Sequence, residues 1–340
     1  MTFKIRIQSS GREFTAGEKE TVLAAALRQG VMLPYSCRNG ACGSCKGKVL
    51  AGRVDYGTYE AKAMSEAERE QGHALFCQAK ALSDLVIEAK EIAAAKDIPI
   101  RIMPARVVKM EKLADDVMRL SLKLAEGQRL QYLAGQYVDI LLSGNQRRSF
   151  SLSTSPLSDE LLQLHIRHVP GGFFTGHVFT KMQEKDLLRF QGPFGMFFLR
   201  EDSDRPAILV AGGTGFAPIK SILEYAFAKG ATRPLHLYWG VRARRDLYLS
   251  ELPQAWAREH GNFKFTPVLS EPRPEDRWDG RRGWVHEAVV ADYPDLSRHE
   301  VYASGPPPMV EALKAAVKKH GLPEDRLYYD SFEFAHASAP

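Results

Sequence analysis

The chain has 340 residues, enough for two or three domains, and its hydrophobic fraction of 44% suits a protein that buries real cores. Its 46 basic and 41 acidic residues leave a net charge of only +5, which gives no reason to expect nucleic acid as a partner. No run approaches the roughly 18 to 20 apolar residues needed to cross a bilayer, and residues 1–7 alternate apolar and charged like a strand, unlike a signal peptide. A cytoplasmic protein with no membrane segment is expected.

In chain order, short strands are predicted over 3–7, 46–50 and 85–89, with a helix over 22–29, so residues 1–93 read as a small α+β domain. An alanine run followed by Pro99 and Pro104 reads as a linker into a strand over 105–110. Strands over 117–124, 136–142, 149–153 and 161–169, separated by glycine and proline turns, make residues 100–201 an antiparallel β-barrel. From Arg205 the pattern changes to a strand over 207–211, a glycine turn, a helix over 218–228 and a strand over 235–239. Residues 204–340 are therefore expected to form an α/β domain with a parallel sheet.

All four cysteines lie in the first domain, at Cys37, Cys42, Cys45 and Cys77. In a compartment that keeps thiols reduced, such clustering favours metal ligation over disulfides. The C-x4-C-x2-C spacing with a distant fourth cysteine is that of a plant-type 2Fe-2S cluster, whose irons need four soft thiolates. Gly40, Gly43 and Gly47 fit a tight loop that turns amides toward the cluster sulfurs. A structural zinc site or buried free thiols are the alternatives, although zinc ribbons pair two C-x2-C knuckles and this chain has one.

In Arg148-Ser149-Phe150-Ser151, alternation places Arg148 and Phe150 on one face of a strand. That arrangement suits a flavin nucleotide, with Arg148 on phosphate, Phe150 on the ring system and Ser151 near the reactive N5; an amphipathic edge strand is the alternative. Further on, Gly171, Gly172 and Thr175 precede a helix predicted over 176–182, a second phosphate site at a helix N-terminus. Two phosphate contacts imply FAD. Gly212-Gly213-Thr214-Gly215 then follows a buried strand and opens a helix, as a pyrophosphate-binding turn does. A second strand–turn–helix at Ser304-Gly305-Pro306, with its helix over 309–318, is expected to face the nicotinamide. Glu271 would repel a 2′-phosphate, which favours NADH over NADPH, while Arg242, Arg244 and Arg245 leave the opposite reading open.

Taken together, these motifs resemble the ferredoxin-NAD(P)+ reductase superfamily, in the group with a plant-type ferredoxin domain ahead of the flavin domain. Arg148-Ser149-Phe150-Ser151 is similar to its R-x-Y/F-S/T flavin motif, Gly171–Thr175 to its pyrophosphate motif, and Gly212–Gly215 and Ser304–Pro306 to its two nicotinamide-side motifs. The resemblance implies a β-grasp ferredoxin domain. It also implies flavin contacts from His165, Ile166 and Val169, a terminal aromatic over the flavin at Phe334, and Ser151 and Ser304 at the site of hydride transfer. Many members carry cysteine where this chain has Ser304. The implied activity is electron transfer from NADH through FAD and the 2Fe-2S cluster to an acceptor protein. That acceptor would be an oxygenase or hydroxylase component, or an iron–sulfur dehydrase of a CDP-deoxyhexulose. A flavin reductase with a structural zinc module is the alternative from another class.

Overall fold

The structure is a computed structural model that describes residues 1–92, 97–144, 146–158 and 160–333. It divides into two compact units, Met1–Pro99 with Glu333, and Ile100–Phe332.

The first unit holds β1 (Thr2–Ile7), β2 (Glu13–Gly17), α1 (Val22–Arg28), β3 (Lys46–Ala51), β4 (Val54–Asp55), α2 (Glu66–Glu70), β5 (His73–Leu75), β6 (Lys80–Ala81) and β7 (Leu85–Glu88). Its five-stranded sheet runs β2-β1-β7-β3-β5, with β1 and β7 parallel at the centre and the other neighbours antiparallel. Strand β1 buries Ile5 and Ile7 and exposes Lys4 and Arg6, the alternation of a sheet with one covered face. Helix α1 starts where the Thr21 hydroxyl accepts from the Ala24 amide at 3.3 Å, and it buries Val22, Leu23, Ala25 and Ala26. This mixed sheet with its helix is the expected β-grasp arrangement.

The second unit begins with β8 (Arg101–Ala114), β9 (Val117–Leu124), β10 (Tyr137–Leu141), β11 (Arg147–Ser151), β12 (Leu162–Arg167), α3 (Phe173–Thr180) and β13 (Leu187–Phe194). The strands form one antiparallel sheet in the order β11-β10-β13-β8-β9-β12. The expected barrel is not closed by a ladder. Its edges meet only just beyond β11, where Leu152 bridges Leu164 and the Ser153 amide donates to the Gln163 carbonyl at 2.9 Å. Strand β8 also starts earlier than the proline signal suggested, because Pro104 is accommodated opposite Arg189. Helix α3 begins at Phe173 rather than residue 176, since extended Gly172 already serves as its N-cap.

The remainder alternates β14 (Ala207–Gly212), α4 (Phe216–Ala228), β15 (Leu235–Val241), α5 (Glu251–Glu259), β16 (Phe263–Leu269), β17 (Arg281–Arg282), α6 (Val285–Asp292), β18 (Glu300–Gly305), α7 (Pro307–Lys319) and β19 (Leu327–Ser331). All six strands are parallel, in the order β17-β16-β15-β14-β18-β19. Strands β14 and β18 are buried at every position, as central parallel strands covered on both faces must be. The order reverses between them, so the crevice beyond their carboxyl ends is the topological switch point, where open α/β sheets bind ligands.

At the opposite end of β18, fully buried Glu300 accepts from Arg233 at 3.0 Å, from Arg326 at 3.0 Å and from the Tyr302 hydroxyl at 2.9 Å. An ion pair with its partner deleted leaves an uncompensated buried charge, here Arg233. Glu300→Ala should therefore lose about 3–5 kcal/mol of stability, read as a lowered urea midpoint, with a smaller loss in Glu300→Gln.

Candidate functional site

In the first unit, the cysteine loop is pressed against the segment that follows β4. Gly40 and Gly43 have φ of +82° and +78°, and a Cβ on either would come within 2.9 Å of the Thr58 carbonyl or 3.0 Å of the Ala63 carbonyl. Only glycine satisfies both demands. Gly47 has a different task, since it lies in β3 and leaves room for the Phe76 ring.

The four thiols stand as two pairs, Cys37 with Cys42 and Cys45 with Cys77, each pair joined by a hydrogen bond. The bond with Cys42 pushes the Cys37 thiol down to about 7, helped by the backbone amides of Asn39, Ala41 and Cys42. Cys77 is likewise lowered, first by Cys45 and then by the Gln78 side chain. Among the described residues, no three His, Cys, Asp or Glu side chains converge as they would on a single ion. Two thiol pairs with amides aimed at the sulfurs fit a dinuclear cluster, in which each iron takes two cysteines.

In the second unit, the flavin-like motifs come together. The Phe150 ring on β11 lies 5.4 Å from Phe174 in the first turn of α3, so the Arg148 strand and the N-terminus of that helix are neighbours. Gly171 takes φ of +75°, and Gly172 caps α3 without a side-chain bond, which leaves the helix N-terminus open to an anion. The Thr175 hydroxyl is engaged within the turn, accepting from the Val169 amide at 3.1 Å. Ser149 donates to Asp139 at 2.7 Å, and Arg148 donates to the Arg147 carbonyl at 2.8 Å. Ile166 points into the core of the antiparallel sheet, so only its backbone can serve a ligand. His165 points the other way, its Nδ1 3.1 Å from the Tyr248 hydroxyl and its Nε2 buried without a hydrogen-bond partner. Burial, followed by Lys220 and Arg119, holds this imidazole well below its usual pKa and hence neutral.

The two glycine turns meet at the switch point. A Cβ on Gly215 would overlap the Ser304 carbonyl, and one on Gly305 would come within 2.9 Å of the Gly212 Cα, so the two turns touch backbone to backbone. The indole of buried Trp239 donates to the Gly213 carbonyl at 3.0 Å. Because a trans peptide points its C=O and N–H in opposite directions, the Thr214 amide faces away from that core contact. Arg167 approaches Gly213, its guanidinium 2.6 Å from where a Cβ would stand, and its Nε is 3.1 Å from Asp116. Thr214 is buried within the turn, and Pro306 serves as the N-cap of α7.

Register then carries a carboxylate to the same place. Asp330 on β19 is the partner of Ser304 on β18, and its Oδ2 accepts from the Ser151 hydroxyl at 3.3 Å. Ser304 is fully buried and its Oγ has no hydrogen-bond partner. Orphaned buried atoms on Ser304 and His165, with an uncapped helix and two glycine turns, fit a bound flavin and nicotinamide that supply the missing partners. Helix α4 is tied to the chain beyond β11, with Lys220 donating to the Ser153 carbonyl at 3.0 Å and Ser221 to that of Thr154. Phe334 lies outside the described residues; Phe332 is half-buried, and its amide donates to the Gly305 carbonyl at 3.0 Å.

Arg167, Trp239 and Asp330 were not singled out from the sequence. Arg167 stands between the selected residues Ile166 and Val169, but nothing local marks it. At the ends of β15 and β16, the Glu271 amide donates to the Arg242 carbonyl at 2.8 Å. Arg242 and Arg245 line a cavity of about 450 Å³ together with Asp115, Asp116 and Asp246, whereas Arg244 donates to the Asp276 carbonyl.

Comparison with known proteins agrees with this anatomy. Three family models match, a 2Fe-2S iron-sulfur cluster binding domain over residues 5–82, an oxidoreductase FAD-binding domain over 104–199 and an oxidoreductase NAD-binding domain over 209–315. The first of these displaces the zinc-module alternative. The chain is 37% identical over 332 residues to CDP-6-deoxy-L-threo-D-glycero-4-hexulose-3-dehydrase reductase of Yersinia pestis, covering 98% of this chain and 99% of that one. It is 38% identical over 337 residues to the reductase subunit of an aromatic O-demethylase of Amycolatopsis, again covering 98% and 99%. The crystal structure of the Amycolatopsis cytochrome P450 reductase GcoB superposes with a TM-score of 0.81 at 36% identity, covering 97% of this chain and 98% of that one. Among the described residues no helix is long and apolar enough to cross a membrane. With all three cofactor domains matched and relatives alike along nearly their whole length, the chain belongs to the ferredoxin-NAD(P)+ reductase superfamily, in the branch that joins a 2Fe-2S domain to FAD- and NAD-binding domains.

Proposed function

We propose that this chain is the reductase component of a multi-protein system, drawing electrons from NADH and delivering them singly to an oxygenase or hydroxylase component. The observation that carries this reading is the convergence of Ser151, Ser304 and Asp330 at the switch point of a chain whose four cysteine thiols also stand as two pairs, Cys37 with Cys42 and Cys45 with Cys77. When bound, FAD accepts a hydride and releases electrons one at a time, which the cluster carries outward. Residues 1–93, 100–201 and 204–340 are taken as the three domains, working in the cytoplasm.

The chain's own task is placement. Cys37, Cys42, Cys45 and Cys77 hold the cluster. Arg148 and the amides after Gly171 and Gly172 take the flavin phosphates, with Ser149, Phe150, Val169, Thr175 and the backbone at Ile166 shaping the strand and turn around them. Ser151 and Ser304 stand at the hydride-transfer position, and Asp330 orients the Ser151 hydroxyl. Gly212, Gly213, Thr214, Gly215, Gly305 and Pro306 admit the nicotinamide nucleotide, while Arg167 supplies a cation at its pyrophosphate. Buried neutral His165 borders this space. We take Glu271 beside Arg242 as the device that favours NADH, because a carboxylate there repels a 2′-phosphate. A second acceptor, the iron–sulfur dehydrase of a CDP-deoxyhexulose, is supported by the Yersinia relative.

Turnover reconstituted with each class of acceptor distinguishes the two, and failure with both overturns the reading. Cys42→Ser should abolish cytochrome c reduction yet retain ferricyanide reduction, which draws on the flavin directly; equal loss of both would count against a relay through the cluster. Gly215→Ala should raise the KM for NADH about tenfold or more, equivalent to at least ~1.4 kcal/mol, with flavin content unchanged. In steady-state assays, kcat/KM should favour NADH over NADPH, and Glu271→Arg should narrow that ratio.

A further inference from the structure

The residue after the fourth cysteine is a glutamine whose side chain turns back on the cluster loop. Gln78 Nε2 lies 3.7 Å from Cys77 Sγ and 3.4 Å from the Arg38 carbonyl, so one amide spans the distant cysteine and the loop that carries the other three. A carbonyl can only accept, so the contact with Arg38 fixes which end of the amide faces the loop.

The side chain is held in this pose by its surroundings. The Gln78 backbone N–H donates to the Leu75 carbonyl at 2.8 Å, which anchors the residue from which the side chain projects. A Cβ on Gly40 would lie 3.0 Å from Gln78 Cγ, and one on Gly57 would lie 3.3 Å from Gln78 Cβ, so both glycines leave room for its stem. Arg38 takes φ of +58°, in the left-handed region that is costly for a non-glycine residue, and its carbonyl is one that Gln78 engages. Gln78 thus braces the turn while pointing an N–H at a sulfur.

Resting on the assignment of the four cysteines as cluster ligands, we propose that Gln78 raises the cluster's reduction potential by donating a side-chain hydrogen bond to the Cys77 sulfur. The electron that enters the cluster adds negative charge to the sulfurs. An N–H dipole aimed at one of them stabilises the reduced form more than the oxidised form. A higher cluster potential favours electron flow from flavin to cluster, the direction the proposed function requires.

The test uses the full chain loaded with cluster and flavin. Gln78→Met keeps the length of the side chain and removes the donor; Gln78→Glu keeps the shape and adds an anion. In an EPR-monitored redox titration, the cluster midpoint should fall in Gln78→Met and fall further in Gln78→Glu, with the flavin midpoint and the iron and sulfide content unchanged. In the unmodified protein carrying glutamine labelled with nitrogen-15 in the side chain, the reduced cluster should show weak hyperfine coupling to an amide nitrogen. This readout stands even where a variant loses its cluster. A cluster-replete Gln78→Met with an unmoved midpoint, or no coupling in the unmodified protein, overturns the proposal. Failure of the cysteine assignment looks different, since the unmodified chain would then bind no iron and sulfide.

Discussion

The second unit turns on a backbone contact that no side chain could share. Gly215 faces the Ser304 carbonyl and Gly305 faces the Gly212 Cα, with less room between them than a methyl group needs. That proximity is available only where two adjacent parallel strands end side by side and their helices depart in opposite senses, which is the switch point between β14 and β18. Once the turns are that close, parallel register delivers the rest: Ser304 at the end of β18, Asp330 beside it on β19, and the Phe332 amide on the Gly305 carbonyl.

The second unit also keeps polar groups buried without partners. Ser304 Oγ and His165 Nε2 are enclosed without hydrogen bonds, an arrangement folded proteins avoid unless a further group completes it. Trp239 turns the Gly213 carbonyl inward while stacking at 4.0 Å on Phe216, so an apolar core contact also decides how the nucleotide turn presents its amides.

The cluster loop follows a different economy. Its form depends on glycines that let the loop lie flat against the Thr58 and Ala63 carbonyls, on a left-handed Arg38, and on thiols already paired two by two. A loop preshaped in this way loses little conformational freedom when metal binds, and its amides are in place to temper the charge on the sulfurs.

Features that depend on spacing along the chain were legible in the sequence. The C-x4-C-x2-C run, the Arg148–Ser151 strand and the glycine turns after buried strands each lie within one element or its immediate border, where periodicity and residue type suffice. The alternation in β1 and the continuous burial of β14 likewise follow from local pattern. What the tertiary structure alone decided is long-range. Asp330 meets Ser151 across 179 positions, Arg167 reaches Gly213, Gln78 reaches back to Arg38, and Gly47 leaves room for the Phe76 ring. The sheet edges of the flavin-binding half meet at one bridge instead of closing as a barrel. These outcomes depend on strand register and on which faces of distant elements pack together, and a one-residue shift in register would send every such side chain to the opposite face.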